Sequence, residues 1–333
     1  ATPEAATQYR RANASARRLD DLADLDLAQV WTSLGDASAR AGRSEESLHA
    51  YRRATRLVGD DPYRRADLLA KRAVVRRLSG AYSAALRETA LGLNLVALDT
   101  TAAGTRARAR LTGERGAIRS CQQRPAEALA LAEAAEADAR AVEDLETLAL
   151  ALDLLDWAHR VIGDSDRSAH YPEALAIFEQ LGDMSGVALV SNNIGAHAYF
   201  EGRWDDAVEA YARSRDAELA NGNDVQAAIP AANMAELLIN QGRLEEAEPL
   251  LVDAVRVLSA SGHAAVGFAE TELARLLVHR DDHVMAETML HRIIEGGKTD
   301  GEPVSVLNAT ILLAESSLRQ GEVEPCLALL DEA

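Results

Sequence analysis

Aromatic side chains are scarce in this 333-residue chain, 4% of the total, although 48% of the residues are hydrophobic. The apolar content is therefore mostly Ala, Leu and Val, and a sheet-based core, which draws on β-branched and aromatic residues, has little to be built from. Only eight prolines interrupt the long stretches of strong helix formers. The two cysteines, Cys121 and Cys326, lie far apart and neither belongs to a C-x-x-C pair. That excludes a disulfide framework and a thiolate metal site, and both are expected as buried small apolar residues. No run of about 18 apolar residues is free of charge, and the N-terminus lacks a basic-then-apolar signal. No membrane partner is expected, and the chain reads as soluble and cytoplasmic. Without secretion, Asn13-Ala14-Ser15 and Asn308-Ala309-Thr310 are chance matches to a glycosylation pattern. The start at Ala1 and the end at Ala333, inside an amphipathic run, lead us to expect a piece of a longer protein.

Positive charge is also short, 35 Lys and Arg against 53 Asp and Glu, for a net charge of −18. A general nucleic-acid binder, whose affinity rests on neutralising phosphates, is thereby excluded. The distribution is uneven. Residues 1–120 hold 21 basic and 14 acidic residues, and the remainder holds 14 and 39. A basic first third is followed by a strongly acidic rest, so RNA binding through the first third survives only as a remote reading.

What the chain has in abundance is self-similarity. Gly42-Arg-Ser-Glu-Glu-Ser47-Leu-His-Ala-Tyr51, Gly202-Arg-Trp-Asp-Asp-Ala207-Val-Glu-Ala-Tyr211 and Gly242-Arg-Leu-Glu-Glu-Ala247-Glu-Pro-Leu-Leu251 share one order. A turn glycine is followed by polar or acidic residues, a small residue five places on and a bulky one four places later. Weaker copies centre on Ala85, Ala128, Ala174, Ala286 and Cys326, giving a period near 40 residues. Two antiparallel helices joined by a glycine turn account for the pattern: glycine ends the first helix in the left-handed region, and the acids suit the positive start of the second. Twelve places before the small residue stands another, at Gly35, Ala73, Gly116, Gly195, Ala235, Ala274 and Ala314. Small residues facing across a hairpin let the helices approach closely. Bulky residues, among them Trp31, Leu34, Tyr51, Leu69, Ile194, Tyr211, Leu238, Leu251 and Leu290, fill the layer between hairpins. A single core stops growing near 250–300 residues, whereas a stack of hairpins has no such limit.

These residues resemble the tetratricopeptide repeat, best at Leu34-Gly35, Gly42, Ser47, Tyr51, Ala54 and at Ile194-Gly195, Gly202, Ala207, Tyr211, Ser214. The resemblance covers nearly the whole chain from about residue 28. It implies an all-α solenoid, a right-handed superhelix of about eight hairpins in a single domain, with residues 1–27 a truncated leading half repeat and linker. Residues 3–18 look like the second helix of that half repeat, which brings the count to seventeen helices. The period exceeds the family's usual one, with extra residues near Gly59-Asp60-Asp61-Pro62, Asp99 to Gly104 and Gly163 to His170. The run Leu152 to Gly163, with Asn192-Asn193-Ile194-Gly195 and Ala198 to Trp204, resembles repeat regions of large actinobacterial multidomain regulators that carry an ATPase and often a cyclase-like or DNA-binding domain. The near absence of Lys, limited to Lys71 and Lys298, agrees with a high-GC genome.

No enzyme and no cofactor are expected. Gly296-Gly297-Lys298-Thr299 ends like a phosphate-binding loop, but Arg292 stands where its first glycine is needed and no strand precedes it, so a helix-ending turn is the plainer reading. His279, His283, Glu287 and His291 are metal-ligand types, yet the repeat puts a turn between the first two. The pairs Asp60-Asp61, Asp205-Asp206 and Glu245-Glu246 recur where helix starts want acids.

The resemblance implies binding of another protein or peptide, including the parent protein's own ATPase module, on the concave surface lined by the first helices. These are expected near 28–41, 66–79, 106–121, 147–162, 186–201, 226–241, 266–279 and 304–320. Candidate contacts on them are Asn192, Asn193 and Asn233, with Glu236 and Asn240 on the same helix as Asn233. Asn193 and Asn233, one repeat apart, are expected on one stripe, offering amides to a peptide backbone or bridging neighbouring helices. Asp153, Trp157 and Arg160 share a helix face, and Trp157 with Tyr199 and Phe200 offers aromatic anchors or core packing. Arg72, Arg76 and Arg77 form a cationic patch or a solvated surface. Two functions fit: a regulatory protein-interaction module, or the ligand- or peptide-sensing arm of a signalling ATPase or transcription regulator.

Overall fold

The computed structural model describes residues 7–8, 11, 24–164, 169–263, 265–300 and 303–332, and among these every regular element is a helix. The chain divides into two compact units, Ala1–Val190 and Ser191–Ala333. In the first unit lie α1 (Asp24–Arg40), α2 (Ser44–Leu57), α3 (Pro62–Leu78), α4 (Tyr82–Leu95), α5 (Ala102–Cys121), α6 (Pro125–Ala141), α7 (Leu145–Ile162) and α8 (Tyr171–Leu181). The helix α9 (Met184–Phe200) begins in the first unit and ends in the second. The second unit continues with α10 (Trp204–Ala220), α11 (Asp224–Asn240), α12 (Leu244–Ser261), α13 (Val266–His279), α14 (His283–Asp300), α15 (Pro303–Arg319) and α16 (Val323–Glu332). These sixteen described helices make eight hairpins in chain order. The expected half repeat over 3–18 lies outside the described residues.

Seven of the eight hairpins close on the same short turn. Gly42 at φ 70°, Gly202 at 75° and Gly242 at 73° take the left-handed conformation that ends the first helix, and Gln123 and Asp281 occupy the same place without being glycine. The following amide then reaches back into the helix, Arg43 N–H to Ser38 carbonyl at 2.9 Å and Arg243 N–H to Leu238 carbonyl at 2.8 Å, which satisfies carbonyls the helix end leaves over. Acids open several second helices, Asp205 and Asp206 in α10 and Glu245 and Glu246 in α12. Asp61 caps α3 by accepting from the Tyr63 and Arg64 amides at 3.0 and 3.1 Å.

The small-residue pairing holds across the hairpins. Ser47, Ala85, Ala128, Ala174, Ala207, Ala247, Ala286 and Cys326 are all buried, and so are Ala73, Ala235, Ala274 and Ala314 opposite them. In the first hairpin the Ser47 hydroxyl donates to the Gly35 carbonyl at 2.8 Å, a direct measure of how close the helices come. A Cβ added to Gly195 would stand 2.7 Å from the Tyr211 ring, so the bulky residue of the second helix needs glycine on the first. Successive first helices pack on one another, α3 on α5 on α7 and α11 on α13 on α15.

Three expectations are corrected. Cys121 is exposed, because it is the last residue of α5 beside the turn, while Cys326 is buried at a small-residue position. Gly296 to Thr299 is not a turn but part of α14, which runs on to Asp300. Arg72, Arg76 and Arg77 form no solvated patch. Arg72 and Arg76 both reach Glu88, at 2.7 and 3.1 Å, and Arg77 holds Glu114. Their stems lie against the stack and their heads are taken up by acids of neighbouring helices.

The extra residues fall partly in connections and partly in helix starts: Gly59 to Asp61 and Asp99 to Thr101 precede α3 and α5, while Pro62 and Ala102 to Gly104 lie within them. The third stretch, Gly163 to His170, stands between α7 and α8 of the fourth hairpin, where no small residue faces Ala174 at the usual spacing. A buried carboxylate takes over: Asp156 on α7 accepts from the His170 and Tyr171 amides at 2.7 and 2.6 Å and contacts His170 Nδ1 at 2.7 Å, holding the start of α8 in place. No described helix is long and apolar enough to cross a membrane.

Candidate binding site

In the second unit the candidate residues form one polar wall on the first helices. The Asn233 Nδ2 of α11 donates to the Asn192 Oδ1 of α9 at 3.1 Å. Asn192 thus meets Asn233 directly. Asn193 holds the place equivalent to Asn233 relative to its small residue and is half-buried. Further along the same two helices, the Tyr199 hydroxyl donates to Glu236 Oε1 at 3.1 Å, and burial followed by the Glu236 charge pushes that hydroxyl's pKa up. Arg275 of α13 donates to the Glu236 carbonyl at 3.1 Å and pairs with Glu272 at 2.9 Å. Glu272 is buried, and burial raises its carboxyl to about 7 against the pull of Arg275. Phe200 is 70% exposed and meets Tyr199 edge to face at 5.3 Å, and Asn240 is exposed at the end of α11.

The remaining candidates lie in the first unit, on α7. Asp153 is buried, which removes it from any exposed surface; with Asp156 it raises the pKa of Tyr171, after burial itself. The charge of Arg160 works against that rise, and Trp157 is half-buried. The equivalent wall of this unit is charged and closed on itself. Lys71 meets Asp36 at 2.8 Å, Arg77 meets Glu114, and Arg110 lies between Asp67 and Glu146. Seen from the sequence these are loose charges; the pairings join residues about one repeat apart, a signal the spacing of Asp36 and Lys71 already carried.

Sequence reasoning missed a groove of about 760 Å³ between α10 and α12 over the start of α11. Leu219, Val225, Ala228, Ala231, Leu250 and Val257 line it. None of the ten candidates does. The turn between His279 and His283 brings no ligand set together: among the described residues no group of three metal-ligating side chains converges, and His283 Nδ1 meets the Ser316 hydroxyl at 3.0 Å.

No protein-family model and no curated protein matches the sequence. Solved structures do match. A signal-transduction ATPase with numerous domains and a tetratricopeptide repeat sensor, from Pyrococcus horikoshii, superposes with a TM-score of 0.68 at 13% identity, covering 97% of this chain and 49% of that one. The chain thus spans about half of that protein. The fold is of the tetratricopeptide type. The quorum sensor NprR in complex with its cognate peptide NprX (TM-score 0.56, 15% identity, 91% and 88% covered) is similar as well. So is a Rap protein complexed with competence and sporulation factor, at TM-score 0.56 and 18% identity over 77% and 76% of the two chains. At these identities the tetratricopeptide-type likeness is one of fold.

Proposed function

We propose that the chain is a protein-interaction and regulatory module whose second unit holds a segment of another polypeptide along its first helices. The observation that carries this reading is the Asn192–Asn233 pair: two half-buried amides placed on neighbouring helices, each keeping donor and acceptor capacity for a peptide backbone after meeting the other. Tyr199, Glu236 and Asn240 extend that row with groups of the same kind, and Phe200 adds an exposed ring. The first unit's wall offers less, since its charges are engaged with one another. The acidic excess beyond residue 120 favours a basic segment, with binding that weakens as salt rises, and disfavours nucleic acid. Complexes of similar fold with a peptide and with a named factor support the choice of a polypeptide.

A second reading, the sensing arm of a signalling ATPase, draws on the groove between α10 and α12 and on the likeness to a repeat sensor. Selection from a displayed peptide library on the 333-residue chain separates the two. Enrichment of basic peptides that bind saturably supports the module; no enrichment, with thermal stabilisation by a small molecule instead, supports the sensor.

A further inference from the structure

The second hairpin carries leucine where the repeat elsewhere does not. Six places after the small residue of the second helix, the other hairpins have Ala134 or a polar residue: Arg53, Gln180, Arg213, Asp253, Arg292 and Glu332. In α4 the same place is Leu91, 56% exposed. Leu95 follows at 37% and Leu98, just past the end of the helix, at 97%. Spacings of four and three put them on one side of α4, and Arg87, four residues ahead of Leu91, is exposed on that side too. The opposite side of α4 already packs on the stack, where Val96 is buried with Ala66, Ala70 and Leu111. Single exposed leucines are ordinary, but three in one row on one helix are a patch.

The charges beside this row are cations without carboxylates. Other arginines of the first unit are neutralised: Arg72 and Arg76 by Glu88, Arg77 by Glu114, Arg108 by Asp138 and Arg140 by Glu173. Arg52 and Arg56, on the exposed side of α2, and Arg87 on α4 make no ion pair among the described residues. Arg72 places the α2 cations relative to α4. It holds Glu88 of α4 at 2.7 Å; burial lowers its pKa, and the charges of Arg76 and Arg52 add to that fall. Arg52 therefore lies close to the turn of α4 that leads from Glu88 to Leu91. The row also belongs to the basic part of the chain, since residues 1–120 hold 21 basic and 14 acidic side chains.

We propose that the outward side of α4, with Arg52 and Arg56 of α2, docks an acidic amphipathic helix of a partner polypeptide. Its aliphatic side chains, spaced by three and four, lie against Leu91, Leu95 and Leu98, and Asp or Glu beside them meet Arg52, Arg56 and Arg87. Three leucines over about two helix turns match one helix laid alongside. A lipid surface is a poorer match. The net charge of −18 sets the chain as a whole against an anionic bilayer, while a docked helix meets only charges within a Debye length of about 8–10 Å. The inference does not rest on the Asn192–Asn233 wall, which belongs to the second unit.

The probe is a fluorescent synthetic helix built of Leu-Glu-Ala-Leu-Glu-Glu-Ala heptads, titrated into the 333-residue chain and followed by anisotropy. Saturable binding is expected, weakened about tenfold or more by Leu91→Gln with Leu98→Gln, and likewise by Arg52→Glu with Arg56→Glu. Val284→Gln, at an exposed apolar site of the second unit, leaves it unchanged. So does Asn192→Ala with Asn233→Ala, which separates failure here from failure of the peptide wall. A helix with Lys in place of Glu binds the wild type weakly and gains on the Arg52→Glu, Arg56→Glu variant. Absence of saturable binding, binding indifferent to both hairpin variants, or equal binding of the Lys helix overturns the proposal. So does co-sedimentation of the wild type, but not of the Leu91→Gln, Leu98→Gln variant, with phosphatidylserine vesicles, since the face then meets lipid. A dimer of the chain that the same variant dissociates overturns it as well, since a second copy then covers the leucines.

Discussion

Arg77 on α3 grips Glu114 on α5 with two hydrogen bonds, Nε to Oε1 at 2.8 Å and Nη2 to Oε2 at 3.3 Å. The pair joins the first helices of the second and third hairpins from within the stack, and burial raises the Glu114 pKa in spite of Arg77. Removing one partner strands the other. Glu114→Ala is expected to cost about 3 kcal/mol or more, while a Glu114→Leu, Arg77→Met double variant stays within about 1 kcal/mol of the wild type. Urea unfolding of the wild type and the two variants checks this.

A pH dependence follows from Glu272. Its folded pKa of about 7 lies above the ordinary 4.5, so between those values the folded chain holds a proton that the unfolded chain releases. Stability contributed by this group is complete below pH 4.5 and is lost as pH rises through 7, by about 3 kcal/mol in all. Glu272→Gln removes the loss. Thermal melts of both proteins from pH 5 to 8 should diverge, the wild type falling relative to the variant.

The Gly195 and Tyr211 contact predicts a steric cost. With Tyr211 buried and a new Cβ 2.7 Å from its ring, Gly195→Ala is expected to lose about 1–3 kcal/mol, and shortening the partner by Tyr211→Leu in the same chain to recover part of it. Calorimetric melting of the single and double variants measures the coupling.

Such contacts were open to sequence reasoning because they repeat. Glycine at 195 and an aromatic at 211 recur at 35 and 51, and a spacing that returns seven times states which side chains face each other before any coordinates exist. What does not repeat was illegible. The pairing of Arg77 with Glu114 depends on rotamers of two long side chains from different hairpins, so the arginines read as a surface patch. Asp153 read as exposed because it shares a face with Trp157 and Arg160, yet the long connection in the fourth hairpin brings Tyr171 against it. The groove between α10 and α12 depends on space that no motif encodes. Of the candidate site, the helices that carry Asn192 and Asn233 were visible, and the hydrogen bond between the two amides was not.

Asp156 is expected to be the anchor of the fourth hairpin. Its carboxylate is fully buried and accepts both amides at the start of α8, so Asp156→Ala leaves donors unsatisfied and should cost about 3 kcal/mol. Hydrogen exchange should quicken first across Tyr171–Leu181, ahead of the other helices.

The central claim is that the second unit's first helices hold a polypeptide through the amides of Asn192 and Asn233. Isothermal titration of a library-selected peptide against the wild type and against an Asn192→Ala, Asn233→Ala double variant tests it most directly. The account predicts an affinity loss of about tenfold or more with the melting temperature held near the wild-type value. Equal affinities for the two proteins would contradict it.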